Sequence, residues 1–184
     1  SMIFVGDTSP SRVQSKLTDA ISRLSKDTTE SLTLINTDGW VLDPEAILYK
    51  IKLIESIRPD LVLGIARSAE LEPILRGART PSMRIEASTI VLERSQTGRR
   101  ETRAAGYRRY LEGGKTLSHS RPRIRVRLPS LLSSVQSNLL PDLRNSIVGL
   151  LDAQGYLLQI GILLDLDEDS LRVYSKPADH LSEV

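Results

Sequence analysis

The sequence predicts an α/β protein: part of a parallel sheet with its helices, followed by a small, mainly β domain. Three observations lead there. Apolar runs and amphipathic segments alternate as strand, helix, strand, helix, strand between Ile3 and Ile65, the order that builds a parallel sheet. After about residue 118 no helix-length periodicity recurs, and short apolar runs alternate with polar turns instead. The length of 184 residues suits one medium domain, or one domain with a small appendage. The expected division is residues 1–118 for the α/β part and 119–184 for the β-rich part.

The elements follow in order. Ser1-Met2 reads as a cloning remnant. Ile3-Phe4-Val5-Gly6 then starts at once as a buried strand, so the chain is expected to begin inside a domain. Ser9-Pro10 opens a helix, a capping residue followed by Pro at the first helical position. Val13, Leu17, Ala20, Ile21 and Leu24 recur at helical spacing. Leu32 to Ile35 reads as a second strand. Asp43-Pro44 opens another helix, with Ile47, Leu48, Ile51 and Ile54 on its apolar face. Pro59 breaks it, and Leu61 to Ile65 is a third strand. Leu71 to Leu75 is expected as a short helix. Met83 to Ala87 reads as a strand, continued through Ile90-Val91-Leu92. Residues 99–111 favour a helix with an Arg-rich face, ended by Gly113-Gly114. Beyond it, Arg121 to Leu128 alternates basic and apolar residues, the pattern of a half-buried strand. Asn145 to Leu151, Tyr156 to Leu164 and Leu171 to Tyr174 read as further strands, and residues 176–184 as a tail.

Composition narrows the function classes. Forty per cent apolar and 26% charged residues is an ordinary globular balance, which excludes disordered and collagen-like chains. No run approaches eighteen apolar residues, so no membrane span is expected, and no basic-then-apolar leader opens the chain. The absence of Cys excludes disulfides, thiolate metal sites and a Cys nucleophile. His119 and His180 are too few for a His-rich metal site, and no metal ligands are expected. An intracellular soluble protein is the expectation. One Trp, one Phe and five Tyr leave the core to Leu, Ile and Val.

Charge is unevenly placed. Residues 91–128 carry eleven Lys/Arg and three Glu, a net of +8, against −6 for the remainder. Arg94, Arg99, Arg100, Arg103, Arg108 and Arg109 fall within sixteen residues, and all are Arg. A guanidinium presents a rigid fork of donors that suits phosphate oxygens. This segment is a candidate anion site, with Arg100 and Arg103 as nucleic-acid contacts. The alternative is a solvated helix face.

Two turns stand at the carboxyl edge of predicted parallel strands, where ligands bind in open sheets. Gly6-Asp7-Thr8-Ser9-Pro10 leads into a helix N-terminus, which favours anions; its alternative is a well-capped structural turn. Asn36-Thr37-Asp38-Gly39-Trp40 holds the sole Trp. An indole at that edge can stack on a nucleobase, worth about 1–3 kcal/mol; its alternative is a ring folded back on the neighbouring helix. Glu93-Arg94-Ser95-Gln96-Thr97-Gly98-Arg99-Arg100 sets two arginines five apart about a Gly-containing turn, a pattern that can close over a phosphate or form surface ion pairs with Glu93 and Glu101. Gly113-Gly114-Lys115-Thr116 imitates the end of a phosphate-binding loop but has Arg109 where G-x-x-x-x-G-K-[ST] needs Gly; it reads as a connector. Asp165, Asp167, Glu168 and Asp169 lack the Gly and closing Glu of a calcium loop and read as a hairpin turn.

Phe4 to Pro10, Ile35 to Val41, and Glu93-Arg94-Ser95 with Arg99-Arg100-Glu101 occur in an order that resembles the polynucleotide 5′-hydroxyl-kinase family. That family includes the RNA kinase of pre-mRNA cleavage and tRNA-splicing complexes, the nucleolar rRNA-processing kinase and archaeal GTPase-like relatives. The likeness runs nearly the whole chain, with the Thr-x-Gly-Trp element and its spacing to the Arg pair the most specific. It implies the C-terminal part of a P-loop-type parallel sheet, and transfer of the γ-phosphate of ATP or GTP, with Mg²⁺, to a 5′-OH RNA or DNA end. It implies that Thr37, Gly39 and Trp40 clasp the substrate end. Arg94 and Arg99 would be lid arginines touching the triphosphate and the moving phosphoryl group. Thr8 would lie beside the nucleic-acid path.

The family's phosphate-binding loop and metal-organising Asp precede the stretch matched here and are absent from this sequence. The expectation is therefore a fragment that is inactive alone, with no cofactor bound to it. A natural truncation is the alternative. Other readings are a non-catalytic nucleic-acid or protein-binding module, and a GTPase-like nucleotide switch. The resemblance implies an RNA-processing complex, and a cytoplasmic location in a prokaryote or a nuclear one in eukaryotic relatives. A cut sheet edge makes self-association of the fragment an expectation.

Overall fold

A computed structural model describes residues 1–90, 95–120, 143–167 and 169–176. The chain divides into two compact units, Asp7–Glu93 and a second formed by Ser1–Gly6 with Arg94–Val184.

The first unit opens with α1 (Pro10–Asp27), which carries Pro in its first turn and departs from helical geometry once, at Val13 (φ −133°, ψ 24°). Ala20 is buried, and Leu17, Ile21 and Leu24 are half-buried, as the spacing requires. α2 (Pro44–Ile57) buries Ala46, Tyr49, Lys50 and Leu53. That i, i+3, i+4, i+7 stripe is a regular helical face, but it is rotated from the expected one: Leu48 is 59% exposed. The expected phase followed the aliphatic residues, whereas the buried face includes a lysine.

β1 (Val62–Ala66), α3 (Glu72–Gly77) and β2 (Ser82–Glu86) complete this unit. β1 and β2 pair in parallel, Leu63 opposite Met83 and Ile65 opposite Ile85. The pairing is the expected parallel βαβ arrangement. Gly64 lies against Leu71 and Leu75, so close that a Cβ there would stand 3.0 Å from a Leu75 methyl. α3 therefore packs on the face of β1 that presents Gly64 and Ala66. The other face presents Leu63, Ile65, Met83 and Ile85, all exposed.

Two expected strands are not formed. Ile3 to Val5 and Leu32 to Ile35 belong to no ladder among the described residues. A strand exists only through its neighbours' backbone hydrogen bonds, and apolar composition does not supply those neighbours. Leu32 and Leu34 are exposed. The N-terminal run takes a different role: the Met2 carbonyl oxygen accepts a 2.8 Å hydrogen bond from Leu157 N. Phe4 packs on Gly149, where an added Cβ would stand 2.6 Å from Phe4 Cγ.

The second unit contains α4 (Gln96–Leu111) and an antiparallel sheet of β3 (Lys115–Ser120), β4 (Ile147–Leu151), β5 (Leu157–Leu166) and β6 (Ser170–Ser175), in the order β3-β6-β5-β4. Leu163, Leu171 and Val173 form its buried core, with Val148 and Leu166 against it. Three of these strands match the expected ones within a few residues. Gly113 to Thr116 was expected as a connector; from Lys115 the chain is instead in β3, whose six residues pair in unbroken register with β6. The Tyr110 hydroxyl donates to Gln159 Oε1 at 2.9 Å, which ties α4 to β5. Residues 95–118 belong to the same compact unit as the antiparallel sheet. The expected strand at Arg121 to Leu128 lies outside the described residues, as do residues 91–92 and the tail from 177.

Candidate nucleic-acid interface

The turn before α2 is built around Asp38. Its Oδ1 accepts from Trp40 N at 3.1 Å, and its Oδ2 accepts from the Tyr49 hydroxyl at 3.2 Å. Lys50 Nζ lies 2.9 Å from the same Oδ2 and donates to the Asp38 carbonyl oxygen at 2.8 Å. An aspartate bonding to a backbone N–H two residues on closes a tight local turn. Here the turn is also anchored from below by two side chains of α2.

Trp40 is half-buried. Its Nε1 donates to Asp43 Oδ2 at 2.6 Å, and its ring stacks on Tyr49 with centroids 6.0 Å apart and planes 28° from parallel. The indole is therefore laid against the first turns of α2 and not sealed in the core. The indole contacts the neighbouring helix, and it remains accessible. Thr37 and Gly39 are exposed. Among the described residues, chain neighbours aside, no atom lies within 4 Å of where a Gly39 Cβ would stand, so the backbone there is open to close approach.

Tyr49 is buried, and burial followed by the Asp38 carboxylate pushes its phenol well above the ordinary tyrosine range. It stays a proton donor at any working pH.

The turn before α1 holds Thr8, which is exposed. Gly6 takes a left-handed conformation (φ +87°), which favours glycine. Asp7 Oδ1 accepts from Ser9 N at 2.8 Å, and Oδ2 lies 3.4 Å from Arg12 Nη1. The Ser9 amide, and then Arg12, hold the Asp7 carboxyl below its usual value. Ser9 and Asp43 stand at the caps of α1 and α2, yet neither side chain caps its helix. The Asp43 carboxylate is engaged by the indole instead.

After β1, Glu70 folds its loop: its carboxylate accepts from Arg67 N at 2.9 Å, and from Ser68 N and Oγ at 2.8 and 2.7 Å. These bonds lower its pKa to about 2.

In the other unit, Ser95 Oγ caps α4 by accepting from Gly98 N at 3.1 Å. Arg99, Arg100, Arg103, Arg108 and Arg109 are all exposed on this helix. Arg94 lies outside the described residues. The Gly113-Gly114-Lys115-Thr116 stretch does not form a phosphate-binding loop. Gly113, at φ +76°, and Gly114 join the end of α4 to β3, and Lys115 pairs with Ser175 within the sheet. A phosphate-binding loop runs from strand to helix, the reverse order. Among the described residues no group of three His, Cys, Asp or Glu is placed to hold a metal ion. The acidic turn is a hairpin: Asp167 accepts from Asp169 N, Ser170 N and Ser170 Oγ, and Asp165 pairs with Arg144 and Arg172. No helix among the described residues is long and apolar enough to cross a membrane.

The family model described as the P-loop region of the mRNA cleavage and polyadenylation factor CLP1 matches residues 1–113. The chain belongs to this family. The chain is also similar to a polyribonucleotide 5′-hydroxyl-kinase of Pyrococcus horikoshii, 31% identical over 117 residues, covering 62% of this chain and 32% of that protein. The namesake from Pyrococcus abyssi is 24% identical over 235 positions, covering all of this chain and 66% of its own length. That of Pyrococcus furiosus is 30% identical over 119 residues, 64% of this chain and 33% of that protein. The chain thus spans between about a third and two thirds of the length of these relatives.

Sequence reasoning did not single out Asp38, Asp43, Tyr49 or Lys50. A signal was present: Lys50 falls in phase with Ala46 and Leu53 on an apolar stripe. A lysine there demands a carboxylate partner, and the acidic turn just upstream offers one.

Proposed function

We propose that this chain is the clasp, lid and C-terminal portion of a polynucleotide 5′-hydroxyl kinase, which transfers an NTP γ-phosphate to the 5′-OH end of RNA or DNA. The observation that carries this reading is the Thr37–Trp40 turn, which holds the sole indole half-exposed beside an open Gly39. That arrangement suits stacking on a terminal base. The names of the Pyrococcus relatives support the reaction class. Thr8, Thr37, Gly39, Trp40, Arg100 and Arg103 are the proposed nucleic-acid contacts, and Arg94 and Arg99 the proposed lid. ATP or GTP with Mg²⁺ would be held by a phosphate-binding loop elsewhere in the parent protein, so this portion is inactive alone. The family match, which ends at residue 113, supports a kinase-domain portion over 1–118 and an appended β-rich domain over 119–184. Participation in an RNA-processing complex, a cytoplasmic location as expected of an archaeal-type member, and self-association of the fragment belong to the same proposal.

The test is phosphorylation of a 5′-OH oligonucleotide by a polypeptide that includes the phosphate-binding loop. Trp40→Ala is expected to raise KM for the oligonucleotide, and Arg99→Ala to lower kcat more than it raises KM. Wild-type kinetics in both variants would overturn the site assignment. Release of free phosphate without 5′-phosphorylated ends would favour a nucleotide switch instead. Tight, salt-sensitive binding of single-stranded RNA with no turnover in the longer polypeptide would favour a binding module.

A further inference from the structure

Lys50 is charged, yet only 5% of its surface is exposed. A buried ammonium is stable only when paired and hydrogen-bonded. Among the described residues its partners are the Asp38 carboxylate at 2.9 Å, the Asp38 carbonyl oxygen at 2.8 Å, and the face of Tyr49 with its centroid 5.2 Å away. The same Asp38 bonds Trp40 N, and the same Tyr49 ring stacks on the indole. Two routes therefore lead from the Lys50 ammonium to Trp40, one through the backbone of the turn and one through the aromatic pair. A hydrophobic residue would fill this place on α2 without requiring a partner. The ammonium instead fixes the carboxylate and the carbonyl oxygen of a single residue relative to a helix.

We infer that Lys50 is a positioning residue: it locks the Asp38 turn onto α2 and so presents the Trp40 indole in the orientation that stacks on the terminal base of a single-stranded substrate. The base-stacking half of this statement rests on the function proposed above; the locking half does not. Removing the ammonium loosens the turn and lets Tyr49 relax, leaving the Asp43 hydrogen bond as the indole contact that does not depend on Asp38 or Tyr49.

The chain carries its own probe, since Trp40 is the sole Trp. Its emission reports this turn in the 184-residue chain without a label. Lys50→Met keeps the length of the side chain and removes the charge. Asp38→Asn keeps the carbonyl acceptor, removes the ion pair and preserves the turn's shape. Both are expected to shift Trp40 emission to the red and to raise its quenching by acrylamide, with Lys50→Met the larger. Lys50→Arg, which retains a cation, is expected to restore part of the wild-type signal. Far-UV circular dichroism checks that α2 persists; if Lys50→Met fails to fold, Asp38→Asn decides alone. Wild-type emission and quenching in the folded variants would overturn the lock.

The second readout is quenching of Trp40 by a short 5′-OH oligoribonucleotide at low salt. Lys50→Met is expected to weaken binding about fivefold or more, the lower end of a base–aromatic stack. Equal affinity in wild type and Lys50→Met would overturn the positioning role. If the wild-type chain does not bind while the ligand-free signals shift as expected, the lock stands and the clasp reading falls.

Discussion

The indole Nε1 of Trp40 donates a 2.6 Å hydrogen bond to Oδ2 of Asp43, the residue that opens α2. Asp43 occupies the place where an aspartate ordinarily accepts from the helix's own amides, but its carboxylate is turned outward to the ring. Asp43→Ala is expected to cost about 0.5–1.5 kcal/mol and to lower the fluorescence anisotropy of Trp40. Asp43→Ser can cap the helix without reaching the indole, so it should recover stability while anisotropy stays low. Thermal melts and anisotropy, read side by side, separate the two roles.

Electrostatic contact with a polyanion leaves a signature in its salt dependence. Arg100 and Arg103 are exposed on α4. Arg100→Ala and Arg103→Ala should each reduce the slope of log affinity against log salt by about one, and weaken oligonucleotide binding similarly across sequences. An unchanged slope in titrations from low to physiological salt would remove these two residues from the interface.

The antiparallel sheet is closely packed at Gly161. A methyl group there would run into Val173, which is fully buried, and would stand 3.1 Å from the Tyr174 carbonyl oxygen. Gly161→Ala should destabilise the protein by about 1–3 kcal/mol in urea denaturation. Gly106, within α4, has open space at the same position. Gly106→Ala should stabilise the helix by about 0.5–1 kcal/mol.

Glu70 sets a pH dependence. Its carboxylate is lowered from 4.5 to about 2, first by the Ser68 hydroxyl and then by backbone amides that include Arg67 N. The folded state thus holds the proton more weakly than the unfolded state. The contribution to stability is fully present above pH 4.5 and is lost as pH falls towards 2. In Glu70→Gln, thermal melts across that interval should show a shallower decline than in the parent chain. Parallel curves would mean that the loop after β1 does not depend on this charge.

Much of the fold could be read from the sequence, because periodicity reports burial. Val13, Leu17, Ile21 and Leu24 located α1, and the Met83 to Ala87 run located β2. Periodicity failed where a polar group occupies a buried place. On α2 the aliphatic residues drew the expected face towards Leu48, while the folded helix turns Tyr49 and Lys50 inward to serve Asp38. It failed again at Ile3 to Val5 and Leu32 to Ile35, since a strand depends on partners that its own composition cannot name. The candidate site was legible at Thr37, Gly39 and Trp40 because an indole among turn residues is conspicuous. Its supports were not, because hydrogen bonds across eleven or twelve residues leave no local pattern. Arg94 lies outside the described residues, so its pairing with Arg99 rests on their spacing alone.

The oily side of β1 and β2 has a practical consequence. Leu63, Ile65, Met83 and Ile85 form a small rectangle open to water, and the helices of this unit leave it bare. Such a surface adheres to whatever shields it from solvent. Purification will therefore reward mild detergent and dilute handling, and phenyl-substituted resin will retain the polypeptide well beyond what its abundant charge suggests.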